Sequence, residues 1–247
     1  MKKYFLAIQF RENQDIIESE QRSLKRVFKK FDAEVTFANF FNQSINWNNP
    51  QEIIADNNGV ILCGSGDFDF DGGRSPDDPK RMMSYTILNG LKHFLQYLFD
   101  GNIPTLGICY GHQIIAAFKG KKVMNDKNQV KVGSYNVSIL DKYKSDLLFQ
   151  DMPPTFNAQY GHKDSLSDLP EGCSIIAQGL NCNYSILKYS DYIYSVQFHP
   201  ELTMSDVLER ERKSDGYNKL IDPSKFSLKP SIESELIIRN FINIASH

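Results

Sequence analysis

The stretch Thr105-Leu106-Gly107-Ile108-Cys109-Tyr110-Gly111-His112-Gln113 sets a cysteine between two glycines where an apolar strand meets a helix. Residues 103–108 read as a buried strand, and Gln-Ile-Ile-Ala-Ala-Phe over 113–118 reads as the opening of a buried helix. Gly107 and Gly111 allow a sharp turn and close packing of strand on helix, which holds Cys109 up at a strained corner. The helix N-terminus beneath it favours negative charge, as a thiolate nucleophile requires. A small core cysteine ahead of a helix would show the same local pattern, so chemistry has to come from a second element.

Residues 192–198, Tyr-Ile-Tyr-Ser-Val-Gln-Phe, are strong β-formers and run directly into His199-Pro200-Glu201. In an extended chain, side chains two residues apart point the same way, so His199 and Glu201 are expected to share a face, with Pro200 holding His199 extended. A thiol nucleophile needs a base within hydrogen-bond reach, and the base needs a third group to fix its tautomer. Cys109, His199 and Glu201 supply that set.

Working outward, residues 4–10 read as a strand, and Ile16, Ile17, Leu24, Val27, Phe28 and Phe31 mark one face of a helix. Strands follow at 34–37 and 59–63, then a glycine- and aspartate-rich loop, a helix over about 80–99, and the cysteine elbow. Such alternation implies an α/β fold with a mostly parallel central sheet covered on both faces, and function at the carboxyl ends of the strands. After Lys121 the pattern changes to short strands at 130–140, 174–178, 185–188 and 192–198, an antiparallel extension. The chain reads as a single domain over 1–247, with an insertion near 205–230 ahead of a closing helix.

A chain of 247 residues can bury a sizeable core, and its net charge of −2, with basic residues scattered among acids, argues against nucleic acid as a partner. No apolar run is long enough to span a bilayer, and Met1-Lys2-Lys3-Tyr4-Phe5-Leu6-Ala7-Ile8 reads as a first strand rather than a leader. Cys63, Cys109, Cys173 and Cys182 show neither disulfide-framework nor zinc spacing. A thiol nucleophile suits a reducing compartment, so a cytoplasmic location is expected.

On the cysteine elbow and the His-Pro-Glu segment, the chain resembles the class I glutamine amidotransferases, particularly the stand-alone type similar to the amidotransferase domain of GMP synthetase. The likeness runs from about Tyr4 to Glu201, and Ile238-Arg239-Asn240-Phe241-Ile242 looks like the family's closing helix. It implies a flavodoxin-like three-layer sandwich and hydrolysis of the glutamine side-chain amide, with Cys109 as nucleophile, His199 as base and Glu201 as its orienter. It also implies an oxyanion turn at Cys63-Gly64-Ser65-Gly66. The family usually has two glycines then a proline there, whereas Ser65 and Gly66 hold the last two places. With that backbone path kept, the N–H groups of Ser65 and Tyr110 would face the oxyanion, each contributing about 3 kcal/mol. The question the turn poses is whether Ser65 can adopt dihedrals that a glycine holds there. Gln113 matches the glutamine of the family's Cys-x-Gly-x-Gln motif, which contacts substrate. Gln159, Tyr160 and Gly161 fall in a segment that resembles the loop holding the substrate's α-amino and α-carboxylate groups.

Asp67-Phe68-Asp69-Phe70-Asp71-Gly72, with Asp78 beyond, has the carboxylate spacing of a calcium loop. A strand precedes it, Arg74 takes a usually apolar position, and Pro76 and Pro79 interrupt its exit, so it reads instead as a solvated acidic lid facing substrate. No metal ligand set and no cofactor are expected. The leading expectation is glutamine hydrolysis through a Cys109 thioester, with ammonia passed to a separate synthetase subunit, because this chain contains no G-x-x-x-x-G-K-S/T loop. The alternative is a γ-glutamyl peptidase or hydrolase using the same triad on another γ-glutamyl small molecule. An inactive scaffold or regulator is the third reading.

Overall fold

Five consecutive buried residues make β1 (Lys3–Gln9) a central strand of the computed structural model, which describes residues 2–213 and 226–246. Asn13 then caps α1 (Gln14–Lys30), its side-chain oxygen accepting from the N–H groups of Asp15 and Ile16, and the helix lays Leu24, Val27 and Phe28 on the sheet. There follow β2 (Ala33–Asn39), a short α2 (Pro50–Ile54), β3 (Gly59–Leu62), α3 (Pro79–Gly90), α4 (Lys92–Asp100), β4 (Thr105–Ile108) and α5 (Tyr110–Phe118). The second part of the chain adds β5 (Val123–Asn125), β6 (Lys131–Ile139), β7 (Thr155–His162), β8 (Asp164–Leu166), β9 (Ser174–Gly179), β10 (Cys182–Lys188) and β11 (Ile193–Val196). Helices α6 (Met204–Lys213) and α7 (Glu235–Ile244) complete the described elements.

Nine strands form one sheet in the order β2-β1-β3-β4-β11-β10-β9-β6-β7, and β5 pairs with β8 beside it. From β2 to β11 all pairings are parallel, and from β11 to β7 all are antiparallel. One apolar core packs α1 and α7 against a sheet face through Phe28, Ile237, Ile238 and Phe241. On the opposite face α3, α4 and α5 contribute Ile87, Phe94, Leu95, Leu98, Ile114 and Ile115. The architecture is therefore the expected three-layer α/β sandwich with an antiparallel extension.

Several local expectations change. The helix expected over 80–99 is two helices, because the chain bends at Gly90-Leu91, where Leu91 has φ −91° and ψ −2°. A Cβ on Gly90 would stand 2.9 Å from the Phe40 ring, so that bend also depends on glycine. The segment from Gln159 onward, expected as a loop, is strand β7 paired along its length with β6 and followed by β8. Its polar and small residues carry no apolar run, and register with β6 supplies what the pattern lacks. In the 205–230 stretch, α6 occupies the first part; residues 214–225 lie outside those described. Among the described residues no helix is long and apolar enough to cross a membrane.

The tightest approach in the fold is between α5 and β3, where a Cβ on Gly111 would lie 2.1 Å from the Leu62 carbonyl oxygen. Gly111→Ala is expected to destabilise the chain by about 3 kcal/mol or more in urea unfolding, since backbone has to move. Gly120→Ala, at φ +78° with open space around it, is the control and should cost about 1 kcal/mol.

Candidate active site

Strands β3, β4 and β11 are neighbours and parallel, so their carboxyl ends open on one edge. The chain leaves β3 into Gly64-Ser65, leaves β4 into Cys109, and leaves β11 toward His199. Cys109 itself takes the sharp turn, at φ +52° and ψ −100°, and its N–H donates to the Val196 carbonyl at 2.8 Å. Gly107 and Gly111 lie outside the positive-φ region. What they supply is closeness: a Cβ on Gly107 would be 2.8 Å from Ile115 Cδ1, and one on Gly111 would enter Leu62. The corner's strain thus sits on the cysteine, and the glycines let its surroundings close around it.

Strand β11 ends at Val196, two residues before the expected limit, and the chain bends at Gln197-Phe198. His199 is then pinned to β7 by its N–H donating to the Gln159 carbonyl at 2.7 Å. A turn closed by the Leu202 N–H on the His199 carbonyl, at 3.4 Å, brings Glu201 beside the imidazole. His199 Nδ1 and Glu201 Oε1 are 2.8 Å apart, so the pair meets across a turn rather than along an extended strand. On its other side the His199 ring lies beside Cys109, both within reach of Gly64, and the Cys109 Sγ is 3.8 Å from the Gly161 carbonyl oxygen. Gly64 faces the ring, where a Cβ would approach His199 Cε1 to 2.7 Å.

All three side chains are buried, at 2–3 % exposure. Burial disfavours a charged imidazole, but the Glu201 carboxylate and then Cys109 outweigh it and raise His199 to about 9. Burial likewise disfavours the Glu201 carboxylate, yet His199 first and Arg210 after it hold that group down at about 2. His112 and His162 contrast with this. Both are buried, desolvation leads, and each is pushed down to about 3. Burial also pushes the Cys63 thiol well up.

Of the remaining candidates, Ser65 and Tyr110 flank the Cys109 corner with backbone N–H groups that donate no hydrogen bond among the described residues. Ser65 does not adopt positive φ, so the turn asks nothing there that only glycine provides. Its hydroxyl instead braces the turn, donating to the Phe10 carbonyl at 2.8 Å and accepting from the Asp67 N–H at 3.1 Å. Gly66 continues the same turn, also outside positive φ. Gln113 is buried, with its amide nitrogen on the Asp164 carbonyl at 2.9 Å. Gln159 is wholly buried; its oxygen accepts from Ser134 Oγ at 2.8 Å and its nitrogen donates to the Lys229 carbonyl at 2.8 Å and Ser231 Oγ at 3.1 Å. Tyr160 turns its hydroxyl to Ser185 Oγ, 3.0 Å away. Of the 159–161 segment, then, the backbone at Gly161 is what borders the thiol. A small cleft of about 20 Å³, partly open to solvent, adjoins His199 and Gly161 and is walled by Tyr160, Val132, Leu202 and Arg210.

The acidic loop is not a solvated lid. Asp69, 9 % exposed, accepts from Arg74 Nε at 2.9 Å and Lys163 Nζ at 3.0 Å. Asp67 accepts from the Glu12 N–H at 2.9 Å, and Asp78 caps α3 through the Lys80 N–H. Phe68 and Phe70 are buried. The carboxylates are taken up by cations and backbone N–H groups, Arg74 bridging Asp69 and Asp78, and no group of three or more metal-ligating side chains occurs among the described residues.

The family described as "Glutamine amidotransferase class-I" matches residues 14–209. The chain belongs to that family. A GMP synthase [glutamine-hydrolyzing] from Borrelia garinii is 33 % identical over 137 residues, covering 56 % of this chain and 25 % of that protein. A subunit of the glutamine-hydrolyzing GMP synthase of Methanocaldococcus jannaschii is 34 % identical over 116 residues, 47 % of this chain and 60 % of that one. The match thus spans about a quarter of the length of the Borrelia protein. A glutamine amidotransferase from Thermotoga maritima shares the fold, with a TM-score of 0.70 at 18 % identity over 100 % of both chains.

Two residues of this amidotransferase domain escaped the sequence reading. Arg210, one position past the family match, sets Nη1 3.6 Å from Glu201 Oε1. It was hidden in a stretch read as an insertion, although Thr203-Met204-Ser205-Asp206 is a capping box: the Thr203 N–H donates to Asp206 at 2.8 Å and the Asp206 N–H to Thr203 Oγ1 at 3.2 Å. A helix begun there carries Val207 and Arg210 on one face. Asp164 is the other; its carboxylate accepts from the N–H groups of Asp71 and Gly72 at 2.8 and 2.7 Å. No local pattern announces a contact spanning 93 residues.

Two outcomes follow from this geometry. In imidazole nitrogen NMR, His199 should remain protonated until the pH passes about 9, whereas His112 and His162 stay neutral down to about 3. His199 being raised, its contribution to stability is complete below the ordinary histidine value of 6.5 and is lost as pH rises through about 9. Asp164→Asn should cost about 1–3 kcal/mol in urea unfolding and speed amide exchange at Asp71 and Gly72.

Proposed function

We propose that the chain hydrolyses the side-chain amide of glutamine through a γ-glutamyl thioester on Cys109 and passes the ammonia to a separate acceptor enzyme. The observation that carries this reading is the meeting of Cys109, His199 and Glu201 at the carboxyl edge of the parallel strands, with the imidazole hydrogen-bonded to Glu201 on one side and beside Cys109 on the other. Family membership supports the choice of glutamine. In the reactive pair His199 already holds the proton as imidazolium, and the Cys109 thiolate beside it attacks the δ-carboxamide carbon of glutamine. The oxyanion is placed between the N–H groups of Ser65 and Tyr110, which have no acceptor of their own among the described residues. The C–N bond breaks as His199 returns its proton to the departing ammonia. Water, deprotonated by the same imidazole, then attacks the thioester, releasing glutamate and restoring the thiol. Glu201 keeps Nδ1 protonated throughout, so that Nε2 exchanges protons with the reactants.

A synthetase subunit is the proposed acceptor. The similarity to a protein named as one subunit of a GMP synthase, and to a quarter of a longer GMP synthase, supports that assignment. Gln159 and Tyr160 act in this reading by shaping the walls, since their polar atoms are taken up by protein partners, and Gln113 is anchored there by its amide nitrogen. Substrate contacts fall to the backbone at Gly161 and the Gly64-Ser65-Gly66 turn.

The test is glutamate release from glutamine and from a set of γ-glutamyl peptides by the purified chain, alone and with a candidate synthetase subunit. Glutamine should be preferred, and more strongly with the synthetase present; preference for peptides would mean a γ-glutamyl hydrolase instead. Cys109→Ala and His199→Ala should bring turnover to background. Glu201→Gln should retain activity roughly 10²-fold above Cys109→Ala, since removing the orienting carboxylate alone is less damaging than removing nucleophile or base. Near-normal turnover by His199→Ala would refute the mechanism.

A further inference from the structure

Helix α6 brings a buried cation to the far side of the triad, and its placement is fixed from two directions. Arg210 is 7 % exposed, with Nη1 3.6 Å from Glu201 Oε1. From α1, Arg26 donates to the Glu201 carbonyl at 2.7 Å and pairs with Asp206 of α6 at 2.8 Å, while Arg22 pairs with Glu209 at 2.6 Å. The helix that carries Arg210 is therefore strapped to the element that also grips the backbone of Glu201.

We propose that Arg210 is a positioning residue of this site: it shares the Glu201 carboxylate with His199 and so balances the charge of a buried quartet, Cys109, His199, Glu201 and Arg210. The proposal rests on the triad reading given above. When the thiol proton has moved to the imidazole, the four groups carry one thiolate, one imidazolium, one carboxylate and one guanidinium, and their charges cancel. Without the guanidinium the same state holds a net negative charge out of water, which is costly and is relieved by taking up a proton. Arg210 thereby makes the reactive thiolate–imidazolium form accessible at lower pH.

The contact is loose, and its looseness has a use. Arg210 Nε and Nη2 and Glu201 Oε2 are buried without hydrogen-bond partners among the described residues, so the pair is not a two-pronged fork. A closed fork would compete for the carboxylate that His199 Nδ1 holds at 2.8 Å. At the observed distance Arg210 contributes field while leaving the hydrogen bond to the imidazole. The other charged and titratable groups around the pair do not duplicate it. Arg11 and Glu20, on β1's exit and α1, pair with each other at 2.9 Å and cancel. Arg26 is matched by Asp206. His162 on β7 is kept neutral by burial, and so is Cys63 after β3.

The experiment uses the full chain as wild type, R210M and R210K, and follows alkylation of Cys109 by iodoacetamide between pH 4 and 10, read by peptide mapping, together with kcat and KM for glutamine. R210M should shift the midpoint of the Cys109 alkylation profile upward by about one pH unit or more, the size of effect a close charge produces. R210K, which keeps the charge, should stay within about 0.3 unit of wild type, a rescue that lost packing alone would not predict. In R210M kcat at neutral pH should fall by about tenfold with KM little changed. If R210M fails to fold, R210Q takes its place. A Cys109 midpoint that moves in His199→Ala but not in R210M, or moves equally in R210M and R210K, overturns the role of Arg210 and leaves the triad standing. Label falling on another cysteine in the wild type overturns the triad reading itself, and this proposal with it.

Discussion

The first turn of α5 lies against the end of β3, and the rest of the site depends on that contact. Gly111 donates its N–H to the Cys63 carbonyl at 3.0 Å, and its missing side chain lets the helix sit on Leu62. With the helix held there and β4 held between β3 and β11, the one residue joining them has no relaxed path. Cys109 takes positive φ, a strain of about 1–3 kcal/mol that persists only where its surroundings over-determine it. Cys109 N–H to Val196 and Gly111 N–H to Cys63 are those determinants. They connect the corner to both neighbouring strands, the ones that lead to the Gly64-Ser65 turn and to His199.

Electrostatics then separates three buried histidines that composition cannot tell apart. His112 bonds Ser195 Oγ at 2.7 Å and His162 the Asp164 carbonyl at 3.0 Å, and with only neutral partners each is held neutral by desolvation. His199 is as deeply buried but faces a carboxylate at 2.8 Å, and the direction of its shift reverses. A raised imidazole suits a site whose nucleophile must give up its proton, because the transfer leaves an ion pair rather than an isolated charge.

How much of this was legible follows from the range of each interaction. The parallel order, the cysteine elbow and the His-Pro-Glu segment are written in adjacent residues, through apolar runs and paired glycines. The mechanism inside those motifs was less visible: at Cys109 the glycines serve packing while the cysteine carries the dihedral, and at Glu201 a turn replaces the extended chain. At the break Gly90 packs against Phe40, some fifty residues earlier, and β7 is placed by its register with β6. The acidic loop misled most. Asp69, Asp71 and Asp78 look like a solvated cluster in the sequence, but Arg74 and Arg81 lie nearby and Lys163 arrives from the far end of β7.

Asp164 shows how these long-range contacts assemble the wall opposite Cys109. Its carboxylate fixes the backbone of the acidic loop at Asp71 and Gly72, while its carbonyl accepts from Gln113 on α5. The carboxylate is raised by burial and lowered by the two N–H donors, so ionisation there depends on the loop being in place. One residue thus links α5, the loop that follows the Gly64-Ser65-Gly66 turn, and the β7–β8 segment whose Gly161 carbonyl borders the thiol. Because the loop's other anchors are ion pairs with Arg74 and Lys163, moving it would expose unpaired charge at several points together. The loop is therefore a fixed side of the site, held by the same ion pairs and backbone hydrogen bonds that fix its conformation.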